Sequence, residues 1–441
     1  MRVIARHWFR ALVRENFLRD RKAAALLANE SLSSDESHFR QERLLRKTLL
    51  AASRRIPAYR DFDVPADDVR SALQALPVVT KRHLLAGKGD YFPALGLDKL
   101  WTARGLTSGT TGTPLEIFRS LSSVIWESAF INRHWQWSGF AKGMRRATLR
   151  GDYAVPASRT SAPFWLYNQA ENQLLVSSRH LHPPYIASIA RELREFQPYL
   201  LHAYPSTAYE LALHLEHVDE YLEIPVVYTS SEMLYTHQRE LISSRLKTRL
   251  FDHYGMAERV AFITECEAGS YHVNPEYSYV EILDDDGNPT SDSGYITGTT
   301  FHNSTMPLIR YRLSDRSRWK PGTCACGRNY PMVEPIEGKY EDRIFGSSGN
   351  PVSPSLVTFA FKGLRNIERS QVAQIAAGRW EIRVVPMQGY SAAERSALMK
   401  NVREMVDPGI DVTVIECEDI PRTEAGKYRW VVNECAVPAV V

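Results

Sequence analysis

The chain has 441 residues, a formal net charge of +3, and 44% hydrophobic and 24% charged residues. That length exceeds one compact core, so at least two domains are expected, and the scattered basic residues form no stripe of the kind that grips nucleic acid. No apolar run approaches the roughly 18 residues that cross a bilayer, and five cysteines in so long a chain fit a reducing, cytoplasmic setting better than a disulfide framework.

The first stretch, "MRVIARHWFRALVRENFLRDRKAAALL", is arginine-rich and amphipathic. It lacks the unbroken apolar core of a signal peptide, and Glu15 and Asp20 argue against a transit peptide. A helix packed on the first domain is expected, with a membrane-surface helix as the alternative. Residues up to about Pro77 read as helices joined by polar turns. From Leu106 to about Tyr311 short β-branched or aromatic runs alternate with helical stretches. "PYIASIARELREFQPYLLHAYPSTAYELALHLEHV" predicts two helices around the strand "YLLHAY". "IPVVYTSSE" predicts a buried strand, Thr236 to Arg245 a helix, and "TRLFDHYG" a further strand. This rhythm is that of βαβ units in a largely parallel sheet. "YSYVEILDDDGNPTSDSGYITGTTF" alternates about a D-G-N turn and reads as antiparallel hairpins. In the last hundred residues, "GRWEIRVVP", "SAAERSALMKNVREMV" and "IDVTVIECEDIP" predict strand, helix and strand. They make a small α+β domain beyond a boundary near "EGKYEDRIFGSSGNPVSP". The fold class is therefore α/β.

"LTSGTTGTPLE", from Leu106 to Glu116, has the composition of a phosphate loop. Gly109 and Gly112 allow tight turns, and Thr107, Ser108, Thr110, Thr111 and Thr113 offer donors to phosphate oxygens. It fails the P-loop pattern, because Thr113 stands where that motif needs lysine. A polar surface turn is the plain alternative.

The ordered series "TSGTTGTPLE", "YTSSE", "YGMAE", "YRLSD" and "TEAGKYR" resembles the adenylate-forming superfamily of acyl- and aryl-CoA ligases. Within it the likeness is to the phenylacetate–CoA ligase branch, with the coenzyme F390 synthetase-like and CapK-like proteins, from about Leu106 to Glu434. The resemblance implies a large N-terminal adenylate-forming domain of mixed sheets and helices, and a small mobile α+β C-terminal domain. Residues 1–100 would form the helical start of the large domain, 101–340 its AMP-binding core, and 341–441 the small domain. By the same likeness Tyr254 stacks on adenine, with His253 and Gly255 beside it. Glu258 helps hold Mg²⁺ against the triphosphate, as suits a hard cation. Ser230, Ser231 and Glu232 line the adenine side, and Asp315 accepts the ribose hydroxyls. Lys427, in "IPRTEAGKYRW", reaches the acid carboxylate and the α-phosphate, so that Lys427, Glu258 and Thr110 form the catalytic set. The hinge segment "EGKYEDRI" departs from the usual Gly-Arg-x-Asp-Asp. It has Lys339 and Glu341 there, keeps Asp342 as the pivot, and loses the bidentate fork of an arginine at Lys339.

"ECEAGSYH" offers Cys266 and His272, and "CACG" offers Cys324 and Cys326. Three sulfurs and one imidazole are the makeup of a closed structural Zn²⁺ site, and similar cysteines recur at these places in the branch resembled. Buried free cysteines are the alternative. The acid pocket is expected among "LHAYPS", "TSSE" and "FDHYG", lined by Tyr204, Phe251 and His253. Trp126, Trp135 and Trp137 read as core residues of a helix rather than pocket. The expected function is ATP-dependent, AMP-forming ligation of a small, aromatic carboxylic acid to CoA or another acceptor. Two alternatives stay open: an amide- or ester-forming ligase of a polysaccharide or natural-product pathway, and a non-catalytic nucleotide-binding descendant. A homodimer, no nucleic acid and no membrane span complete the expectation.

Overall fold

The computed structural model describes residues 14–60, 62–65, 68–92, 102–106, 115–151, 154–156, 158–337, 342, 344–352, 354–361, 363–364, 366–420 and 429–435. The chain starts with helices α1 (Phe17–Ala28), α2 (Ser34–Arg55), α3 (Val69–Ala75) and α4 (Lys81–Ala86). A capping box starts α2: the Ser33 hydroxyl accepts from the Glu36 N–H, and the Glu36 carboxylate accepts from the Ser33 N–H, which satisfies donors a helix start otherwise leaves open. The antiparallel hairpin of β1 (Thr102–Leu106) and β2 (Glu116–Ser120) leads into α5 (Leu121–Trp137).

Next come β3 (Arg146–Leu149), β4 (Trp165–Asn168), β5 (Gln173–Val176), α6 (Ile186–Phe196), β6 (Leu200–Ala203), α7 (Pro205–His217) and β7 (Val226–Ser230). Helix α6 buries Ile186, Ile189, Ala190 and Leu193, the spacing that puts one apolar stripe against a sheet. Then follow α8 (Thr236–Arg245), β8 (Arg249–Gly255), β9 (Phe262–Glu265), β10 (Tyr271–Val273), β11 (Ser278–Leu283), β12 (Gly294–Thr300), β13 (Tyr311–Ser317), β14 (Trp319–Lys320) and β15 (Met332–Val333). The C-terminal part contains β16 (Ile344–Phe345), β17 (Pro351–Val352), β18 (Ile367–Ala376), β19 (Arg379–Pro386), α9 (Ala392–Met405), β20 (Asp411–Glu416) and β21 (Val431–Asn433).

These elements gather into two compact units. The first comprises Met1–Thr107, Leu115–Gly139 and His253–Gly338. In it β11, β12 and β13 form an antiparallel sheet, while β10 lies antiparallel between β9 and β15. Gly298 lets β12 approach the loop before β9, since a Cβ there would stand 1.9 Å from the Val260 carbonyl oxygen.

The second unit comprises Ser108–Pro114, Phe140–Asp252 and Lys339–Val441. Its parallel strands run in the order β7-β6-β3-β5, with β4 antiparallel at the edge. Every residue of β3, β6 and β7 is buried, as expected of parallel strands covered on both faces. The C-terminal part of this unit has the strand order β20-β19-β18-β21, with its own core around Trp380, Trp430 and Phe361. The α/β class, with its antiparallel hairpins and small C-terminal α+β part, is as the sequence implies. No helix among the described residues is long and apolar enough to cross a membrane.

Candidate functional site

In the first unit, His253–Gly255 at the end of β8 pairs with Phe262–Thr264 of β9, and this register fixes the stretch that carries Tyr254 and Glu258. The Tyr254 hydroxyl donates to Asp315 Oδ2 of β13 at 2.6 Å. Burial, and then the Asp315 carboxylate, hold the phenol well above its usual pKa, so Tyr254 stays a donor. Glu258 is 8% exposed and accepts from the Tyr311 hydroxyl at 3.4 Å. His253 packs edge-on to His134 at 5.8 Å and beside Phe262 at 5.3 Å.

Two arginines that the sequence did not single out stand near Glu258. Arg259 takes a left-handed φ of 58° and donates from Nη1 to Ser123 Oγ at 2.8 Å, with Glu127 3.7 Å from its Nε. Arg119 lies over Gly105, where an added Cβ would come within 1.4 Å of its guanidinium. Burial, and then the Arg259 charge, bring Arg119 down to about 10. Trp126 stacks on His302, and Trp135 is buried, so the tryptophans of α5 belong to packing.

In the second unit β3 lies between β5 and β6, so the chain leaves β3 toward one side and continues from β6 toward the other. The crevice outside the carboxyl ends of such strands is where open α/β sheets take ligands. Arg150 follows β3, and its Nη1 donates to His202 Nε2 at 2.8 Å. A guanidinium can only donate, so His202 accepts at Nε2 and carries its proton on Nδ1. Arg150 Nη2 donates to Ser231 Oγ at 2.7 Å, and the guanidinium carbon lies 4.7 Å from the Tyr204 ring centroid. Glu232 accepts from the Ser206 N–H at 3.1 Å, which ties "YTSSE" to the start of α7. Ser231 has a left-handed φ of 72°, a strained conformation for a serine. The Oγ atoms of Ser206 and of Ser230, itself 2% exposed, have no hydrogen-bond partner among the described residues. Phe251 stacks on Tyr228 at 5.1 Å within the core. Arg150 lies in "LRGDY", which matches no motif; a charged residue directly after a fully buried strand is the signal the sequence offers.

The four sulfur and imidazole candidates do meet. The ligand atoms of Cys266, His272, Cys324 and Cys326 lie within 4.8 Å of one another. Cys266 Sγ is 3.6 Å from Cys324 Sγ, and Cys326 Sγ is 3.4 Å from His272 Nε2. A tetrahedral Zn²⁺ with bonds of about 2.0–2.3 Å gives ligand separations somewhat under 4 Å, which these two pairs meet, and three sulfurs with one imidazole are fitting donors. His272 Nδ1 donates to the Tyr330 carbonyl at 3.2 Å, which turns the lone pair of Nε2 toward the sulfurs. The sheet explains the meeting: β10 carries His272 between β9, which Cys266 follows, and β15, which the loop bearing Cys324 and Cys326 precedes.

Asp342 is tied to the segment of β21. Its N–H donates to the Val431 carbonyl at 3.1 Å, its Oδ2 accepts from the Asn433 N–H at 2.8 Å, and Arg429 pairs with it. The phosphate loop from Thr107 to Thr113, with Thr110, and also Lys339, Glu341 and Lys427 lie outside the described residues.

With this geometry in view, the relatives place the chain. Two structures of 2-hydroxyisobutyryl-CoA ligase share its fold. One, in complex with 2-HIB-AMP and CoA, has a TM-score of 0.57 at 17% identity and covers 92% of this chain and 91% of its own. The other, in the postadenylation state, has a TM-score of 0.55 at 18% identity, with 92% and 90% covered. The fold is thus that of the adenylate-forming ligases. Residues 344–434 match the CapK C-terminal domain. Protein CapK of Staphylococcus aureus is 26% identical over 213 residues, 47% of this chain and 46% of CapK, so the match spans about half of that relative. Phenylacetate-coenzyme A ligase of Escherichia coli is 24% identical, with 91% of this chain and 95% of that enzyme covered. In sequence the chain is thus similar to CapK and to phenylacetate-coenzyme A ligase, the likeness that its motif series implies.

Proposed function

We propose that the protein is an ATP-dependent, AMP-forming ligase that activates a small carboxylic acid and passes the acyl group to CoA. The carrying observation is the Tyr254–Asp315 hydrogen bond at 2.6 Å, which joins the two motifs that the family likeness gives to adenine and ribose. In the first step a carboxylate oxygen attacks the α-phosphorus of ATP; the bond to pyrophosphate breaks, and an acyl-AMP forms. In the second, a thiolate attacks the acyl carbonyl and AMP leaves with the bonding electrons. Such chemistry rests on positioning and on charge stabilisation at the reacting oxygens. Mg²⁺ bound with the triphosphate would neutralise part of its charge, and the buried Glu258 carboxylate, steadied by Tyr311, suits such a hard cation. Lys427 supplies the cation at the carboxylate and the α-phosphate, and Asp342 the pivot between the two steps. Cys266, His272, Cys324 and Cys326 would hold a structural Zn²⁺ as a clasp.

Acid-dependent exchange of labelled pyrophosphate into ATP tests the reading. Exchange should appear with some acid of a broad panel, and Lys427→Ala should lower it about 10²–10³-fold. ATP binding without exchange for any acid would instead make the protein a nucleotide-binding descendant of such enzymes. Product analysis with CoA and with candidate amines or alcohols then distinguishes a thioester from an amide or ester.

A further inference from the structure

We infer that Arg150 selects the acid: the molecule activated carries a second anionic group, and Arg150 binds that group while the first carboxylate reacts. The inference rests on the ligase reading above and narrows its substrate class from small acids in general to diacids and their like.

Arg150 stands at the carboxyl end of β3, where the strand order reverses and where a ligand is expected. Its surroundings are unlike those of three buried arginines. Arg133 lies 3.3 Å from Glu276, Arg310 lies 3.2 Å from Glu281, and Arg146, at the start of β3, pairs with Glu171. Arg150 meets an imidazole nitrogen, a hydroxyl and an aromatic face, and among the described residues no carboxylate lies within ion-pair distance of it.

These neighbours hold the guanidinium without neutralising it. Two of its five N–H groups are used, and the Tyr204 ring supports its plane. The remaining N–H groups form the planar fork that matches a carboxylate with two parallel hydrogen bonds. A half-buried cation prepared in this way penalises an apolar acid, which would strip water from it and return no partner. It rewards an acid whose far end is anionic. The adjoining chain supplies further donors: Ser230 Oγ is buried with no partner among the described residues, and Ser231 accepts backbone strain at φ 72° while its Oγ receives Arg150. Strain retained at a binding site is expected where geometry serves the ligand.

The test is pyrophosphate exchange by the full chain with diacids paired with their monomethyl esters, from succinate to terephthalate. Each pair differs only in the second carboxylate. The wild type should favour the free diacid in kcat/KM by at least about tenfold. Arg150→Leu should bring that ratio to about one or invert it, and Arg150→Lys should keep part of it. Equal use of both members by the wild type, or exchange confined to monoacids, overturns the inference. So does an equal loss on both members in Arg150→Leu, the pattern expected if Arg150 holds the reacting carboxylate or a phosphate. No exchange with any acid overturns the ligase reading, and this inference with it. Melting curves show whether Arg150→Leu is folded; if it is not, Arg150→Gln, which keeps donors to His202 and Ser231, carries the same comparison.

Discussion

Arg310 in the first unit and Arg150 in the second use the same side chain for opposite ends. Arg310 donates to Glu281 from Nε and Nη2 at 3.3 and 3.2 Å, and to the carbonyls of Gln74 and Leu76 at 2.8 and 2.7 Å. Burial pushes the Glu281 carboxyl up, and the Arg310 charge opposes the rise. Here a guanidinium cross-links helix α3 and sheet β11–β13 and is consumed by the fold. Arg150 is held by polar and aromatic neighbours, and among the described residues no carboxylate answers its charge. A buried ion pair fixes structure; a prepared but unpaired cation awaits a ligand.

The largest effect expected bears on the first unit as a whole. Cys326→Ser removes a thiolate from a four-ligand set, and structural zinc sites contribute about 10–16 kcal/mol of apparent binding in zinc-finger peptides. Zinc content by mass spectrometry should fall from about one per chain to near zero, with a lower melting temperature. Metal-free wild-type protein of unchanged stability would sink the clasp. Next, Arg310→Met leaves Glu281 buried without its partner and should cost about 3–5 kcal/mol in urea unfolding. Arg150→Leu should cost no more than about 1 kcal/mol; equal losses would erase the contrast.

His302 gives a pH-dependent measure of the same unit. Its Nε2 donates to the Glu276 carbonyl at 2.8 Å, and burial lowers its pKa from 6.5 to about 4. The folded state favours the neutral ring, so this contribution is complete above pH 6.5 and is lost as pH falls toward 4. It amounts to about 3 kcal/mol at the acid limit. His302→Gln keeps a donor and removes the titration, so its unfolding free energy should decline less between neutral pH and about pH 4. A slope equal to that of the wild type would assign the acid sensitivity elsewhere. The smallest effect is at Ser231. Ser231→Gly relieves the left-handed backbone and should stabilise by about 1 kcal/mol or less. It also frees Arg150 and should weaken the diacid preference a few-fold. A gain in both stability and preference would contradict the role given to Ser231.

Much of this was legible from residue order. The alternation in "PYIASIARELREF" placed α6, the apolar run "VVYTS" placed β7, and the D-G-N turn placed the β11–β12 hairpin, because local periodicity and turn chemistry decide such elements. The four zinc candidates were legible as residue types. Their meeting depended on β10 lying between β9 and β15, a pairing across some sixty residues (Tyr271 opposite Val333) that no local pattern encodes. Arg119, Arg150 and Arg259 stayed hidden for a related reason: an arginine reads as solvated until its neighbours are known.

The sequence by itself carried the likeness to adenylate-forming ligases, since five ordered motifs survive as residue types whatever surrounds them. Only the tertiary structure decided which charges are spent and which are kept. Pairing is a property of side chains brought together from distant strands, and Arg310 and Arg150 differ in nothing but that company.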